Sequence, residues 1–289
     1  GCEVLKQDYD KFTDISTDTR NIKPGMAFLA IQGEKFDGHD FIDKALKKGA
    51  AGLIISDKNK LGSLDNITAS VLYVPDTLQA YIDIAGGWRS GFSLPVLAIT
   101  GSNGKTTTKD LTAAILAEKY NVLKTQKNFN SEIGMALTLL SLNSSHEAAV
   151  IEIGMRGLGQ IETLCKAAKP DIGIVLNVGD THLELLGSRE NIARAKGELA
   201  EAIKPDGIVI LNADDEYTAA MAAKTNAKVI TFGIKKPADI MAENIHMTDD
   251  NKTSFTCILP DKEIKLSMPL IGEHNVYDAL AAVAAGYIM

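Results

Sequence analysis

The chain has 289 residues, of which 45% are hydrophobic, 23% charged and 6% aromatic. This composition is typical of a globular protein with about two domains, at roughly 100–200 residues each, and excludes a disordered or fibrous chain. The net charge of -7 argues against a nucleic-acid-binding protein, because such proteins concentrate Lys and Arg to neutralise phosphates. No apolar run approaches the length of a membrane span.

The three cysteines, Cys2, Cys165 and Cys257, lie far apart and form no C-x-x-C pair. A disulfide framework or a zinc site is therefore not expected. The first ten residues, "GCEVLKQDYD", lack the charged-then-apolar order of a secretory signal. These features together predict a cytoplasmic protein.

The N-terminal part alternates short apolar runs with helical stretches, which predicts a small α/β domain. The segments that carry this pattern are "MAFLAI", "FIDKALKKGA", "AGLIIS", "SVLYVP" and "TLQAYIDIAGGW". Periodicity is then interrupted by Gly, Ser and Pro in "RSGFSLP", Arg89 to Pro95, which is typical of a linker. We therefore expect one domain over residues 1–92 and a second over residues 93–289.

The second domain alternates strands and helices more regularly. Its predicted strands are "PVLAIT", "AAVIEIG", "DIGIVLNVG", "GIVILNA" and "KVITFG". Strands that are almost continuously apolar are buried on both faces, which predicts a mostly parallel, P-loop-type sheet with helices on both faces. Between Ala238 and Leu270 shorter alternating segments predict a small antiparallel addition, and a last helix begins near Gly272.

The stretch "GSNGKTTT" follows a predicted strand and opens a helix, which is the setting of a phosphate-binding loop. Gly101 and Gly104 allow backbone N–H groups to point at phosphate oxygens. Lys105 supplies a mobile positive charge, and the hydroxyl of Thr106 is placed to bind the magnesium that accompanies ATP. The loop is shorter than the common G-x-x-x-x-G-K-[ST] pattern, and this narrows the choice of family.

Two further residues at predicted strand ends are candidate magnesium ligands. Glu152 follows an apolar run in "AAVIEIG", where a carboxylate needs a partner; it is either half of an ion pair or a metal ligand. His182 follows another parallel strand, at the edge where open α/β sheets bind ligands. A lone histidine is usually structural, but one beside a carboxylate and a phosphate loop is a candidate metal ligand.

Lys196 lies on the apolar face of its predicted helix. Ile192, Leu199 and Ile203 share that face at spacings of three and four residues. Either the lysine extends along the helix to reach solvent, or it turns towards the active site. In the second case a covalent modification would remove the buried positive charge.

Four segments give the sequence a family resemblance that covers essentially the whole chain. They are "TGSNGKTTT", "NFNSEIGMALTLL", "IEIGMRGLGQI" and "NVGDTHLELLGSRENIARAKGEL". They resemble the Mur ligase family, the ATP-dependent amino-acid ligases of peptidoglycan synthesis. The last segment is most similar to members that join D-alanyl-D-alanine to UDP-N-acetylmuramoyl-tripeptide. The resemblance implies three domains, of which the C-terminal ligase domain is expected to be absent here, and we expect a monomer.

The resemblance also implies roles for matching positions. For ATP these are Gly101, Ser102, Asn103, Gly104, Lys105, Thr106, Thr107 and Asn275. For the UDP-sugar peptide they are Ser16, Asp18, Arg20, Gly38, His39, Asn128, Asn130 and Ser131. For magnesium they are Thr106, Glu152, His182 and Lys196, and the implied catalytic residues are Lys105, His182 and Lys196. Lys196 matches a lysine that is carbamylated in several members.

Two positions depart from the family pattern. Ala136 stands where proline is common, and Asp278 stands where asparagine is common. The first would alter only loop stiffness, whereas the second weakens any role assigned to residue 278.

The implied reaction proceeds through an acyl phosphate made from ATP and the tripeptide carboxylate. Alternatives are another ligase of the superfamily, either the one that adds the third peptide residue or one similar to folylpolyglutamate synthase, and a truncated fragment that binds nucleotide and UDP-sugar without turnover. The sequence does not distinguish lysine from diaminopimelate at the third position of the peptide.

Overall fold

The computed structural model describes residues 1–33, 36–249 and 251–289, which divide into two compact units, Gly1–Ile84 and Ala85–Met289. The elements that begin in the first unit are β1 (Glu3–Lys6), β2 (Ile15–Ser16), β3 (Ala27–Leu29), α1 (Ile42–Lys47), β4 (Gly52–Ile55), β5 (Ser70–Tyr73) and α2 (Thr77–Arg89). The division falls inside α2, before the boundary at residue 92 that the sequence suggests.

The first unit is built on a five-stranded sheet of order β1-β5-β4-β3-β2. Strands β2 to β5 run parallel, and β1 is antiparallel to β5. All residues of β3 and β4 are buried, as expected for apolar strands covered on both faces. The predicted α/β domain is confirmed, but β1 and β2 were missed because they are short and carry no buried residue.

The second unit contains the remaining elements. They are β6 (Val96–Thr100), α3 (Lys105–Ala117), β7 (Val122–Lys124), α4 (Glu132–Leu140), β8 (Ala148–Glu152), α5 (Gln160–Ala168), β9 (Ile172–Val175), α6 (Leu183–Leu186), α7 (Arg189–Ala202), β10 (Ile208–Asn212), α8 (Glu216–Ala220), β11 (Lys228–Gly233), β12 (Ile240–Met247), β13 (Thr253–Ile258), β14 (Glu263–Met268) and α9 (Glu273–Ile288).

These strands form a nine-stranded sheet of order β14-β13-β12-β11-β10-β9-β6-β8-β7. The pairs from β7 across to β12 are parallel, and β13 and β14 add antiparallel strands at one edge. Burial follows the pairing: β6, β8 and β9 are buried throughout, whereas β13 alternates between buried and half-buried residues. The predicted parallel sheet and its antiparallel addition are therefore confirmed.

Helices cover this sheet, as predicted. Helix α3 packs against β6, β7 and β8 and against α9, while α5 packs against α7, which contacts β6 and β9. Sequence patterns missed β7, because three residues at a sheet edge show no clear periodicity. None of the helices in the described ranges combines the length and apolar character that crossing a membrane requires.

The predicted linker, Arg89 to Pro95, is tied to the second unit by the side chain of Arg89. This guanidinium is 7% exposed and donates hydrogen bonds to the carbonyl oxygens of Phe92, Leu94 and Ala168 at 2.7 to 3.2 Å. Burial lowers its pKa, although nearby Asp171 raises it. The interruption of periodicity therefore marks a segment that is irregular but firmly held.

Replacing Arg89 by Met should lower the free energy of unfolding by about 2–4 kcal/mol, because buried carbonyl oxygens would lose their charged donor. Urea denaturation of the two proteins measures the difference. Arg194→Met, which changes an exposed arginine of α7, is the matched control and should stay within about 0.5 kcal/mol of the parent. Equal destabilisation by both substitutions would contradict the role given to Arg89.

Candidate active site

The loop of residues 101–104 lies at the carboxyl edge of the parallel sheet, between β6 and α3. Strand β6 has β8 on one side and β9 on the other, so the chain order reverses here, as it does where open α/β sheets bind ligands. Ile99 pairs with Glu152 and Thr100 pairs with Val175. The register therefore brings the three strand ends to one edge.

The segment after β9 holds this loop in place. The Asn103 N–H donates to Asn177 Oδ1 at 2.9 Å, and Asn177 Nδ2 donates back to the Asn103 carbonyl at 3.1 Å. Ser102 Oγ accepts from the Gly179 N–H at 2.8 Å. Gly104 ends the loop in the left-handed region, with φ of 84°, a conformation that favours glycine. Sequence patterns did not reveal Asn177, because its contact is with a distant loop.

Lys105 folds back over its own loop. Its Nζ donates to the carbonyl oxygens of Gly101 at 2.8 Å and Ser102 at 3.3 Å. Burial lowers the pKa of Lys105, while the charge of Glu152 raises it. Within the described ranges Lys105 forms no ion pair, so its positive charge is available to an anion on the loop.

Glu152 is the last residue of β8 and is 1% exposed. Its carboxylate accepts hydrogen bonds from Thr106 Oγ1 at 3.0 Å and from Asn130 Nδ2 at 2.7 Å. The Nζ of Lys109, a lysine that is 2% exposed, lies 4.0 Å from Glu152 Oε2. Lys109 supports the interpretation of Glu152 as half of an ion pair. The neighbouring Thr106 hydroxyl supports its interpretation as a metal ligand. Lys109 was not anticipated from the sequence.

The residues at Glu152 fit a magnesium ion by their chemistry. A carboxylate and the Thr106 hydroxyl are the hard oxygen ligands that Mg²⁺ prefers, and they already lie 3.0 Å apart. In the described part of the chain no group of three or more His, Cys, Asp or Glu side chains could hold a metal. Mg²⁺ commonly keeps few protein ligands and completes its shell with water and phosphate oxygens.

His182 occupies the N-cap position of the short helix α6, where its backbone φ is 68°. Burial lowers its pKa, and the positive charges of Lys196, Lys105 and Arg156 lower it further. The imidazole is therefore neutral around pH 7 and keeps a nitrogen lone pair. These cationic neighbours surround the same edge of the sheet as the loop.

Lys196 lies on the buried face of α7, as the sequence predicts. Its exposure is 2%, and Ile192, Leu199 and Ile203 on the same face are 0 to 3% exposed. Burial, together with the positive charge of Lys105, lowers its pKa to about 7. Among the residues that the structure describes, Lys196 has no hydrogen-bond or ion-pair partner. The side chain is almost entirely buried, and much of the amine is neutral near pH 7.

Helix α9 brings Asp278 against the loop. The side chain is 5% exposed, accepts a hydrogen bond from Thr108 Oγ1 at 3.2 Å, and its Oδ1 occupies the space that a Cβ on Gly104 would need. Asn275, one turn earlier, donates from Nδ2 to the Ile271 carbonyl at 2.8 Å. Asp278, which departs from the asparagine common in the family, thus touches the loop directly. Only the tertiary structure reveals this contact.

Three further candidates in the second unit lie between β7 and α4. Asn130 contacts Glu152 as described, and Ser131 caps α4 by accepting from the Gly134 N–H at 3.5 Å. Asn128 is exposed. Thr107, in the first turn of α3, is half-buried.

In the first unit, Ser16, Asp18 and Arg20 form a self-contained turn. The Asp18 N–H donates to Ser16 Oγ at 3.1 Å, and Arg20 donates to the Asp18 carboxylate from its backbone and its side chain at 2.7 to 3.1 Å. These hydrogen bonds lower the pKa of Asp18. The Arg20 side chain remains 83% exposed.

Gly38 and His39 lie at another tight turn of this unit. A Cβ on Gly38 would lie 2.7 Å from backbone atoms of Ile31, so the close approach expected there is present. His39 is 3% exposed; its Nε2 accepts from the N–H of Ser56 at 2.9 Å, and its Nδ1 lies 2.6 Å from Asp37 Oδ1. These contacts give His39 a structural function in this turn. Glu34 and Lys35 belong to the segment "QGEKFDGHDF", which the resemblance assigns to the uridine diphosphate, and they lie outside the described residues.

Comparison with known proteins gives consistent matches. A UDP-N-acetylmuramoyl-tripeptide:D-alanyl-D-alanine ligase from Synechocystis is 42% identical over 275 residues, which are 95% of this chain and 58% of that protein. A crystal structure of MurF from Acinetobacter baumannii matches with a TM-score of 0.87 at 33% identity, over 94% of this chain and 59% of that one.

A MurF ligase from Thermotoga maritima in complex with ADP also matches, with a TM-score of 0.87 at 28% identity, over 98% of this chain and 64% of that one. The chain therefore spans 58 to 64% of the length of these relatives. The model of the catalytic domain of the Mur ligase family matches residues 11–87. The Mur ligase middle domain matches residues 99–286, more than half of the chain, and the chain therefore belongs to the Mur ligase family.

Proposed function

We propose that the chain carries the UDP-sugar-binding and ATP-binding parts of a ligase that joins D-alanyl-D-alanine to UDP-N-acetylmuramoyl-tripeptide. The observation that carries the proposal is the hydrogen bond between Thr106, at the end of the phosphate loop, and the buried carboxylate of Glu152. It joins a phosphate site to a magnesium ligand at one sheet edge. The names of the relatives support this choice of substrates. We place the reaction in the cytoplasm and expect a monomer.

The nucleotide would bind on the loop of residues 101–104. Backbone N–H groups there and at the start of α3 would contact its phosphates, as helix N-termini do for anions. Lys105 would exchange the carbonyl oxygens it now contacts for phosphate oxygens. Thr107 and Asn275 would contact the nucleotide at the edge of this site. The Thermotoga maritima relative in complex with ADP supports this proposal.

Thr106 and Glu152 would hold magnesium, with His182 as a further ligand. Bound magnesium would neutralise negative charge on the phosphoryl group in transfer. The nitrogen of His182 is a softer donor than the oxygens of Thr106 and Glu152, so we assign it a secondary role. Asn130 would keep the Glu152 carboxylate oriented through its 2.7 Å hydrogen bond.

Lys196 would act as a carbamate. Its neutral amine would attack carbon dioxide, forming a nitrogen–carbon bond as one carbon–oxygen π bond opens and releasing one proton, so that a buried neutral amine becomes a carbamate anion. The pKa of about 7 and the burial of this side chain favour the neutral amine that this step needs. The new carboxylate would help to hold a second magnesium ion.

The reaction would proceed in two displacements. A tripeptide carboxylate oxygen attacks the γ-phosphorus of ATP and ADP leaves, giving an acyl phosphate. The amine of D-alanyl-D-alanine then attacks the acyl carbon, loses a proton and expels phosphate as the amide forms. No side-chain nucleophile is required, because Lys105 and the loop act by positioning and charge neutralisation.

The UDP-sugar peptide would be bound by two sets of residues. Ser16, Asp18 and Arg20, with Gly38 and His39, would hold the uridine diphosphate in the first unit. The exposed Arg20 guanidinium suits a diphosphate, whereas the buried His39 would support the turn around it. Asn128, Asn130 and Ser131 would contact the sugar-peptide.

The ligase proposal is tested by phosphate release from ATP by this chain. We expect release to depend on UDP-N-acetylmuramoyl-tripeptide and, in a protein that also carries the C-terminal ligase domain of the family, to rise when D-alanyl-D-alanine is added. A binding titration with the tripeptide substrate runs in parallel. Tight binding of both ligands without release would identify a binding fragment instead. ATP hydrolysis that ignores the tripeptide would contradict the proposal.

Glu152→Gln should reduce the gain in ADP affinity that magnesium provides, by about tenfold or more, since an interaction with a charged group contributes roughly 1.5–3 kcal/mol. Calorimetric titrations with and without magnesium measure this gain. Affinity for ADP without magnesium should not fall, because the substitution removes a negative charge beside the loop. Glu184→Gln, at an exposed carboxylate of α6, is the control, and an equal effect there would rule out Glu152 as the ligand.

Lys196 should give a carbamate signal when the protein is incubated with ¹³C-labelled carbon dioxide and examined by carbon NMR. At constant dissolved carbon dioxide the signal should grow as pH rises through about 7, because only the neutral amine reacts. Lys196→Arg retains a cation but cannot form the carbamate and should lack the signal. The same signal in both proteins would assign it to another amine.

A further inference from the structure

The carboxyl group of Asp278 lies directly beneath the loop that would bind phosphate. Its Oδ1 fills the position of a Cβ on Gly104, so it lies in contact with the last residue of the loop. The side chain is 5% exposed. A phosphate on the loop and this carboxyl group would therefore be separated only by the backbone.

Packing of α9 keeps the carboxyl group in this position. Val276 and Leu280, which flank Asp278 on α9, are fully buried. Near the end of the helix, Gly286 approaches Ile115 of α3 so closely that a Cβ would overlap its side chain. The helix therefore cannot shift to move Asp278 away without repacking the core.

Asp278 has one hydrogen-bond donor and no ion-pair partner among the described residues. The donor is Thr108 Oγ1, at 3.2 Å. The cations of the facing helix α3 are directed elsewhere, Lys105 to carbonyl oxygens of the loop and Lys109 towards Glu152.

Other charged groups near α9 do not neutralise Asp278 either. His274, one turn earlier on the same helix, acts on Asp278 only through its charge. Asp214, which follows β10, is another carboxylate, and it accepts hydrogen bonds from Tyr277 and from the N–H groups of residues 234 to 236. An ionised Asp278 would therefore be an almost uncompensated negative charge.

Burial raises the pKa of Asp278 to about 6, although the Thr108 hydrogen bond and the charge of His274 lower it. At pH 7 the carboxyl group is mainly ionised when the loop carries no anion. A second negative charge a few ångströms away would then be repelled, because low-dielectric surroundings screen it poorly. Taking up a proton from solvent would remove this repulsion.

We propose that Asp278 limits nucleotide affinity, its ionised carboxylate opposing the phosphates on the loop, so that nucleotide binding draws a proton onto it. The inference rests on the proposed nucleotide site. The direction of the pH dependence follows from linkage. The nucleotide-bound state holds the extra proton, so nucleotide affinity falls as pH rises above about 6. Below that pH the carboxyl group is already neutral, and the effect vanishes.

Asp278→Asn tests the proposal, because the amide keeps the shape of the side chain and removes its charge. ADP titrations by calorimetry, in buffers of different ionisation enthalpy, give affinity and proton uptake. At about pH 8 the variant should bind ADP about tenfold more tightly or better, because two charges a few ångströms apart at an effective dielectric constant near 20 interact by at least that much. At about pH 5 the two affinities should converge. Protons taken up by ADP itself cancel in the comparison.

Thr108→Val provides a second, independent variant. Loss of the hydroxyl that stabilises the ionised form should raise the pKa of Asp278. The ADP affinities of Thr108→Val and Asp278→Asn should therefore converge at a higher pH than those of the parent and Asp278→Asn. Thermal melts without ADP verify that each variant is folded. Equal affinity of parent and Asp278→Asn at about pH 8, together with equal proton uptake between about pH 6 and 7, would overturn the inference while leaving the nucleotide site intact. Failure of the parent to bind ADP would overturn the nucleotide site and the inference together.

Discussion

The site depends on one constraint, the burial of the Glu152 carboxylate at the end of a parallel strand. A charge with 1% exposure is costly unless it is paired and hydrogen-bonded. Three side chains compensate for this cost: the Thr106 hydroxyl and the Asn130 amide donate hydrogen bonds to the carboxylate, and the Lys109 amine lies 4.0 Å from it. These residues come from α3 and from the segment between β7 and α4, so satisfying one carboxylate positions the phosphate loop and its neighbours together.

Charge is distributed unevenly around this edge of the sheet. Burial lowers the pKa of His182, and the positive charges of Lys105 and Arg156, with Lys196 when it is protonated, lower it further. The field of these charges favours an anion on the loop, since burial leaves it poorly screened. Asp278 opposes it from the other side of the loop. In the proposed nucleotide site, the balance between these groups would determine how strongly the loop attracts phosphate.

Rigidity of the loop has a separate origin. Asn177 and Gly179 fasten it to the segment after β9, and α9 supports it from below through Asp278. A loop held in this way loses little conformational freedom when a ligand binds, which favours affinity and orientation. Lys105 is the exception, since its side chain must leave two carbonyl oxygens to meet an anion.

Much of the fold could be predicted from local sequence patterns. Continuous apolar runs identified β6, β8 and β9 as central parallel strands, and alternation identified β13 and β14. The glycines, Lys105 and Thr106 predicted a phosphate loop at the sheet edge, and helical spacing correctly placed Lys196 on a buried face. Short edge strands such as β1 and β7 escaped, because three or four half-exposed residues carry too little periodicity to distinguish a strand from a loop.

By itself the sequence determined the family and the order of the longer elements, and it suggested which residues carry the chemistry, because these depend on composition and local spacing. Only the tertiary structure decided which side chains meet at the site. Lys109 behind Glu152, Asn177 against Asn103 and Asp278 beneath Gly104 are pairs separated by 43 to 174 positions, and no periodicity relates them. Their contacts arise from strand register and helix packing, which assemble parts of the chain that are distant in sequence.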